Sequence, residues 1–151
     1  LAAVKESSNK VLVFVPFKHA IDIISEALTK EKITNDIISG EVTPKKRTGI
    51  FSAFQDKPDP KVLIIQPQAA AHGVTLTAAD TIIWYGPPLS LETYLQANAR
   101  AHRKGQKNPL TIINLEGSYE ESKVYSALVK KQNIHEQIVE LFKEKVDKVN
   151  N

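Results

Sequence analysis

"KVLVFVPF", residues 10–17, carries an apolar side chain at nearly every position and stops at a proline. A strand with one wet face alternates apolar and polar residues, whereas a strand covered on both faces does not. The run therefore predicts a strand over 11–16 that is buried on both faces. Pro16 ends it, because proline lacks the N–H that a ladder needs. Working outward, Ile21, Ile24, Ala27 and Leu28 recur at helical spacing from His19 to about Glu31, and "ITNDII", 33–38, reads as a short strand broken at Gly40. Thr43 followed by Pro44 predicts a helix start, with a threonine cap and a proline in the turn where its missing N–H costs nothing. Ile50, Phe51 and Phe54 stripe that helix to about Asp56, where "PDP" ends it.

"KVLIIQ", 61–66, and "DTIIWY", 80–85, are two further buried strands, separated by the small-residue loop "PQAAAHGVTLTAA". Ser90 is placed to cap a helix from Leu91 to about Arg103, with Leu91, Tyr94 and Leu95 toward the core. "PLTIINL", 109–115, is the fifth strand. After Gly117 the pattern predicts a helix over 119–131 with Val124, Leu128 and Val129 inward. A last helix follows from about Ile134 to Val149, striped by Ile134, Ile138, Leu141, Phe142 and Val149. This alternation predicts an α/β fold in three layers, a mostly parallel sheet with helices on both faces joined by right-handed crossovers. Residues 1–9 are expected as a flexible or linker segment, 10–132 as the domain, and 133–151 as a C-terminal helix. Ligands of such sheets bind beyond the carboxyl ends of the strands, where "PQAAAHG" and "YGPPLS" should lie.

At 151 residues and 42% hydrophobic, the chain fits one domain with a sizeable core. It has no cysteine, which removes disulfides, thiolate nucleophiles and Cys-based zinc sites and suits an intracellular protein. No apolar run approaches the roughly 20 residues that cross a bilayer, so no membrane partner is expected. A net charge of +3 permits a polyanionic partner without arguing for one. The chain opens "LAAVKESSNK" and contains no methionine, which suggests a piece of a longer polypeptide.

Neither G-x-x-x-x-G-K-[ST] nor G-x-G-x-x-G occurs, so a complete nucleotide site is not expected. His19, His72, His102 and His135 have no ligand spacing, no metal site is expected, and no G-x-S-x-G elbow appears. What stands out is "YLQANARAHRKGQ", 94–106. On a helix Arg100 and Arg103 share a face, Gln96 lies one turn back, and Gly105 lets the chain turn away. A solvated helix end would look the same, since the dipole favours cations there. Two arginine forks could equally hold a nucleotide's terminal phosphate or the phosphates of nucleic acid.

"QANARAHRKGQ", 96–106, closely resembles the sixth motif of the Snf-type branch of superfamily 2 helicases and translocases. The order of other segments agrees: "KVLVFVPF" resembles the fourth motif, "AAAHGVTLTAAD", 69–80, the fifth, and "WYGPPLSLETYLQ", 84–96, the Trp-x-x-Pro segment between the fifth and sixth. "KKRTGIFSAFQD", 45–56, is similar to the helix that carries an arginine and a phenylalanine ahead of the fifth. His72 before Gly73 makes the chain most like phage and prokaryotic members.

The resemblance implies the second of two RecA-like lobes of one motor, a P-loop NTPase-like fold without its phosphate loop. ATP and Mg2+ are then used by the two-lobed parent and are not bound stably by this chain alone. By the same resemblance Arg103 is the arginine finger, Arg100 its partner, and Gln96 lies at the same interface. Gly73 allows close packing at the nucleotide, Thr75 stands near the ribose where relatives carry asparagine or aspartate, and His72 sits at the cleft or packs the loop. Pro67 replaces a serine or threonine that touches the nucleic-acid backbone, shifting that contact to Gln68 or His72. Lys45, Lys46 and Arg47 are the other candidate backbone contacts, against the alternatives of a solvated helix start for the lysines and a structural role for Arg47. Trp84 and Tyr85 read as core packing ahead of base stacking.

The implied activity is that of a DNA-dependent ATPase moving along double-stranded DNA, with the N-terminal lobe of the same polypeptide as partner. Alternatives are a nucleic-acid-binding module without motor activity and a degenerate lobe used for protein interaction. The isolated chain is expected to be inactive. The expected location is the cytoplasm of a phage or prokaryotic host cell, or the nucleus if the source is eukaryotic.

Overall fold

The structure is a computed structural model, and it describes residues 2–7, 9–70, 74–88, 90–115 and 130. Five strands, β1 (Lys10–Phe14), β2 (Asn35–Ile38), β3 (Val62–Ile65), β4 (Ala79–Tyr85) and β5 (Thr111–Leu115), form one sheet in the order β2-β3-β1-β4-β5. Every pairing is parallel, with Leu12 registered against Leu63 on one side and Ile82 on the other. The helices are α1 (Ala2–Glu6), α2 (Lys18–Lys30), α3 (Pro44–Asp56) and α4 (Leu91–Asn98), and a 3₁₀ turn spans Pro67–Ala70.

The central place of β1 explains its composition. Val11, Val13 and Val15 point to one face and pack with Val62, Ile64 and Ile83 under Val4 of α1 and Ala20, Ile21 and Leu28 of α2. Leu12 and Phe14 point to the other and pack with Leu63, Ile65, Ile82 and Trp84 under Phe54 of α3 and Tyr94 and Ala97 of α4. The chain leaves β1 toward the β2 edge and then works back across the sheet. Right-handed crossovers therefore put α2 on one face and α3 and α4 on the other. On the second face the rings of Phe14, Trp84 and Tyr94 stack in series, with centroids 4.8 and 5.0 Å apart.

Both expected caps form: Thr43 Oγ1 accepts from the Lys46 amide with Pro44 next to it, and Ser90 Oγ accepts from the Thr93 amide. The far end of α3 is closed from outside the helix. Lys10 Nζ donates to the carbonyls of Phe54 and Lys57 and lies 4.9 Å over the Phe54 ring, supplying a cation where the helix exposes free carbonyls. Burial holds the Lys10 pKa below its ordinary value, opposed by the charges of Asp59 and Asp56.

Three expectations differ from what is seen. Trp84 is buried as core, but Tyr85, read the same way, is exposed, because successive side chains of β4 point to opposite faces. Within residues 1–9, expected as a linker, Ala2–Glu6 is helical and Val4 is buried against the sheet. The helix expected to reach Arg103 ends at Asn98, so the arginines do not ride on it. The amides of Arg100 and Ala101 bond to Ala97 O and Asn98 O, three residues back, and Arg100 O is taken by the Leu76 amide. That tightening and the outside donor end the α-helix a turn early. The helices expected over 119–131 and 134–149 lie outside the described residues, apart from Lys130.

Phe54 is fully buried under β1 and β3, so Phe54→Ala should lower the unfolding free energy by about 3–5 kcal/mol. Urea unfolding checks this against exposed Glu26→Ala, which should change it by no more than about 0.5 kcal/mol.

Candidate functional site

Neighbouring strands β1 and β4 send their chains to opposite faces, α2 to one and α4 to the other. A crevice opens beyond the carboxyl ends of two such strands. The loops after them touch there. Gly86 has φ +103, and a Cβ on it would stand 3.1 Å from the Phe17 ring, so glycine is needed for both reasons.

The loop before β4, residues 74–79, is gripped from two sides. From α3, Gln55 Nε2 donates to Thr77 Oγ1 at 2.9 Å while Gln55 Oε1 accepts from the Ala78 amide at 2.9 Å. From the turn after α4, the Leu76 amide donates to Arg100 O at 2.8 Å. Arg103 Nη1 donates to Val74 O and Thr75 Oγ1 at 3.1 and 3.2 Å. Gln106 Nε2 donates to Ala79 O and Ala101 O at 2.8 and 3.0 Å. One level deeper, Trp84 Nε1 donates to Asn98 Oδ1 at 2.9 Å, fixing the last residue of α4 to β4. Gly105, at φ +103, takes the chain round so that Gln106 can reach back.

Thus Arg100 and Arg103 share one turn, and Thr75 is joined to Arg103. The Arg100 guanidinium donates through Nε to Gln96 O at 3.0 Å. Burial first, and the charge of Arg103 second, hold its pKa below the ordinary arginine value. An arginine remains charged at any physiological pH. Two adjacent forks that repel one another are a place where an anion is stabilised. Gln96 is near through its backbone only, since its side chain donates to Glu92 Oε1 at 3.2 Å.

Arg47, on α3, shares a cleft of about 620 Å³ with Phe51, Gln55, Val74 and Thr75. Its Nη2 donates to Ser39 O at 3.0 Å, and its Nε is enclosed with no partner among the described residues. Lys45 and Lys46 are exposed in the first turn of α3, and Gln68 is exposed on the 3₁₀ turn beside buried Pro67. These three are not gathered with the arginines. His72 and Gly73 lie outside the described residues. Among the described residues no three His, Asp or Glu side chains converge on a point that could hold a metal, and no helix is long and apolar enough to cross a membrane.

Gln55, Asn98 and Gln106 had no assigned role in the sequence. Gln106 falls within the quoted motif, but nothing in its spacing shows that it reaches β4. Gln55 follows Phe54 on a helix whose stripe explains only its apolar neighbours.

Residues 1–105 match the family model of the helicase conserved C-terminal domain, and the chain belongs to that family. It is 31% identical over 141 residues to a chromodomain-helicase-DNA-binding protein 1-like protein of Danio rerio, covering 93% of this chain and 14% of that protein. It is 32% identical over 142 residues to the CHD3-type chromatin-remodeling factor PICKLE of Arabidopsis thaliana, covering 92% and 10%. With the human chromatin-remodeling ATPase INO80 it shares 31% over 123 residues, covering 80% and 8%. The chain thus spans between 8% and 14% of the length of these relatives. The fold is shared with the C-terminal part of the Fun30 ATPase domain, at a TM-score of 0.75 and 24% identity over 82% of this chain and 40% of that one.

The Snf-type reading stands, but the likeness to phage and prokaryotic members does not. These relatives are all from eukaryotes, and two of them are named as chromatin-remodelling proteins. The expectation rested on one histidine before a glycine, and a single loop residue has too few physical constraints to sort a lineage.

Gln55 and Gln106 grip the same short loop from opposite sides. Each alanine substitution should cost about 1–3 kcal/mol, because each leaves backbone groups short of a partner. The double variant should show a coupling of at least about 0.5 kcal/mol in denaturant unfolding.

Proposed function

We propose that this chain is the second lobe of an ATP-dependent motor that moves along double-stranded DNA, and that it supplies arginines to ATP held across the cleft by a first lobe of the same polypeptide. The observation that carries the reading is the joining of Arg103 to Thr75 and Val74, with Arg100 on the same turn beside the amino end of β4. A phosphate loop is absent from the sequence, which fits a division of labour: the first lobe holds the nucleotide and Mg2+, and this lobe brings positive charge to the outer phosphate. Bound magnesium would neutralise phosphate charge from the first lobe's side.

On closure Arg103 would trade its neutral acceptors at Val74 and Thr75 for the terminal phosphate, and Arg100 would align beside it with Gln96 at the same interface. Charge developing on the transferring phosphoryl group would be met by donors already fixed through Leu76 and Gln106. Thr75 and Gly73 would lie near the nucleotide, with His72 at the cleft. The bonds from Arg103 to the loop before β4 give a route by which nucleotide state reaches α3, since Gln55 holds the same loop. Lys45, Lys46, Arg47 and Gln68 would follow the DNA backbone without reading bases. Exposed Gln68 next to buried Pro67 suits a contact moved one residue along. The names of the relatives point to chromatin as the setting, and hence to the nucleus.

The test is made in the two-lobed parent. Arg103→Ala should lower DNA-stimulated ATP turnover by about 10³–10⁵ with DNA binding retained. Turnover near that of the unaltered protein would reject the reading. The isolated 151-residue chain should not turn ATP over, and sustained turnover by it would also reject the division of labour. Removing Lys45 and Lys46 should weaken binding evenly across DNA sequences and make the slope of log K against log salt shallower by about one for each phosphate that the protein ceases to neutralise.

A further inference from the structure

Strand β4 pairs with β1 through an interruption. Lys10 stands opposite Ala79 and Val11 opposite Thr81, so Asp80 has no partner in β1 and is the extra residue of a bulge. An unbroken strand would put Ala79 and Ile82 on opposite faces, yet both belong to the same core. The bulge therefore releases Asp80 from the alternation of the sheet.

The released carboxylate turns to the chain that leads from α1 into β1. Asn9 Nδ2 donates to Asp80 Oδ2 at 2.7 Å, and Ser7 Oγ, which donates to Asn9 O at 3.0 Å, lies 3.4 Å from Asp80 Oδ1. Thr81 Oγ1 donates to the same Oδ1 at 3.2 Å, and Lys61 Nζ, just before β3, donates to Ser7 O at 3.0 Å. Bonds to an ionised acceptor are the strong kind. The residue before Asp80 belongs to the arginine turn. Ala79 O accepts from Gln106 Nε2 at 2.8 Å, and the Ala79 amide donates to Leu76 O, while the Leu76 amide donates to Arg100 O at 2.8 Å. One peptide unit thus separates the attachment of the entering chain from the attachment of the turn that carries Arg100 and Arg103.

We propose that Asp80 is a positioning residue for the motor: it fixes the point where the chain enters this lobe relative to the arginine turn. The inference rests on the second-lobe reading, in which the chain before α1 leads to the first lobe. The entry is then the covalent joint between the lobes. A loose joint would let the lobes close with the arginines out of place, and a displacement of about 1 Å is enough to lower a rate by about 10²-fold. The joint is held in three ways. Val4 of α1 is buried in the core, Lys5 pairs with Glu31 at the end of α2 at 2.9 Å, and the Asp80 carboxylate holds Asn9. The last of these is continuous with the arginine turn, through the peptide unit that joins Ala79 to Asp80.

The test is made in the two-lobed parent. Asn9→Asp sets a second carboxylate against that of Asp80, and it should lower DNA-stimulated kcat by about 10–10²-fold while KM for ATP and the affinity for DNA stay as they were. Combining it with Asp80→Asn restores an amide-to-carboxylate bond in the opposite sense and should recover most of the lost kcat. Val4→Ala loosens α1 but leaves the Asp80 bonds in place, so it should lower the thermal midpoint without lowering kcat. An unchanged kcat in Asn9→Asp, no recovery in the reciprocal pair, or an equal fall of kcat in Val4→Ala would overturn the proposal, the last because stability alone would then explain the loss. Arg103→Ala in the same assay keeps the two readings apart. If it lowers turnover and Asn9→Asp does not, Asp80 has no positioning role and the second-lobe reading stands. If it leaves turnover unaltered, the second-lobe reading falls and the role of Asp80 with it. Should Asn9→Asp fail to fold, Asn9→Ala removes the shortest bond to Asp80 without adding charge: a lower kcat at unchanged KM supports the proposal, and an unchanged kcat overturns it.

Discussion

Burial of β1 on both faces is the constraint on which everything else depends. Each of Val11, Leu12, Val13 and Phe14 is removed from water, and a full layer of helix on each side is required to do it. That demand splits the crossovers between faces and sets adjacent strands β1 and β4 on opposite courses, which is what opens a crevice at their carboxyl ends. The arginine turn lies at the other end of the sheet, since it follows α4 and is bonded to the residues that lead into β4.

The site is held by polar contacts rather than by regular structure. Residues 74–79 have their backbone groups taken by Gln55 on one side and by Arg100 and Gln106 on the other. The loop thereby joins the arginine turn to α3. The low-dielectric side of the same arrangement is seen at Arg100, where burial and Arg103 both work against its charge.

Most of the fold was legible in sequence, because it follows from local rules. Strand burial showed in unbroken apolar runs, the caps at Thr43 and Ser90 in residue type and position, and the α3 stripe in the spacing of Ile50 and Phe54. The arginine pair was legible too, through the motif it sits in. The end of α4 was not. Periodicity continued through Arg103, and the helix stopped because Leu76, in another part of the chain, took the carbonyl of Arg100. Gln55 and Gln106 escaped for the same reason, since an amide side chain has no pattern to show what it will meet.

The sequence by itself determined the layers, their order and the family, because apolar spacing, capping residues and motif order are properties of neighbours along the chain. Only the tertiary structure decided where the cationic turn points and what braces it. Those outcomes rest on hydrogen bonds between residues more than twenty positions apart, from Gln55 to Thr77 and from Arg103 to Thr75. Such partners become near only after the sheet has assembled.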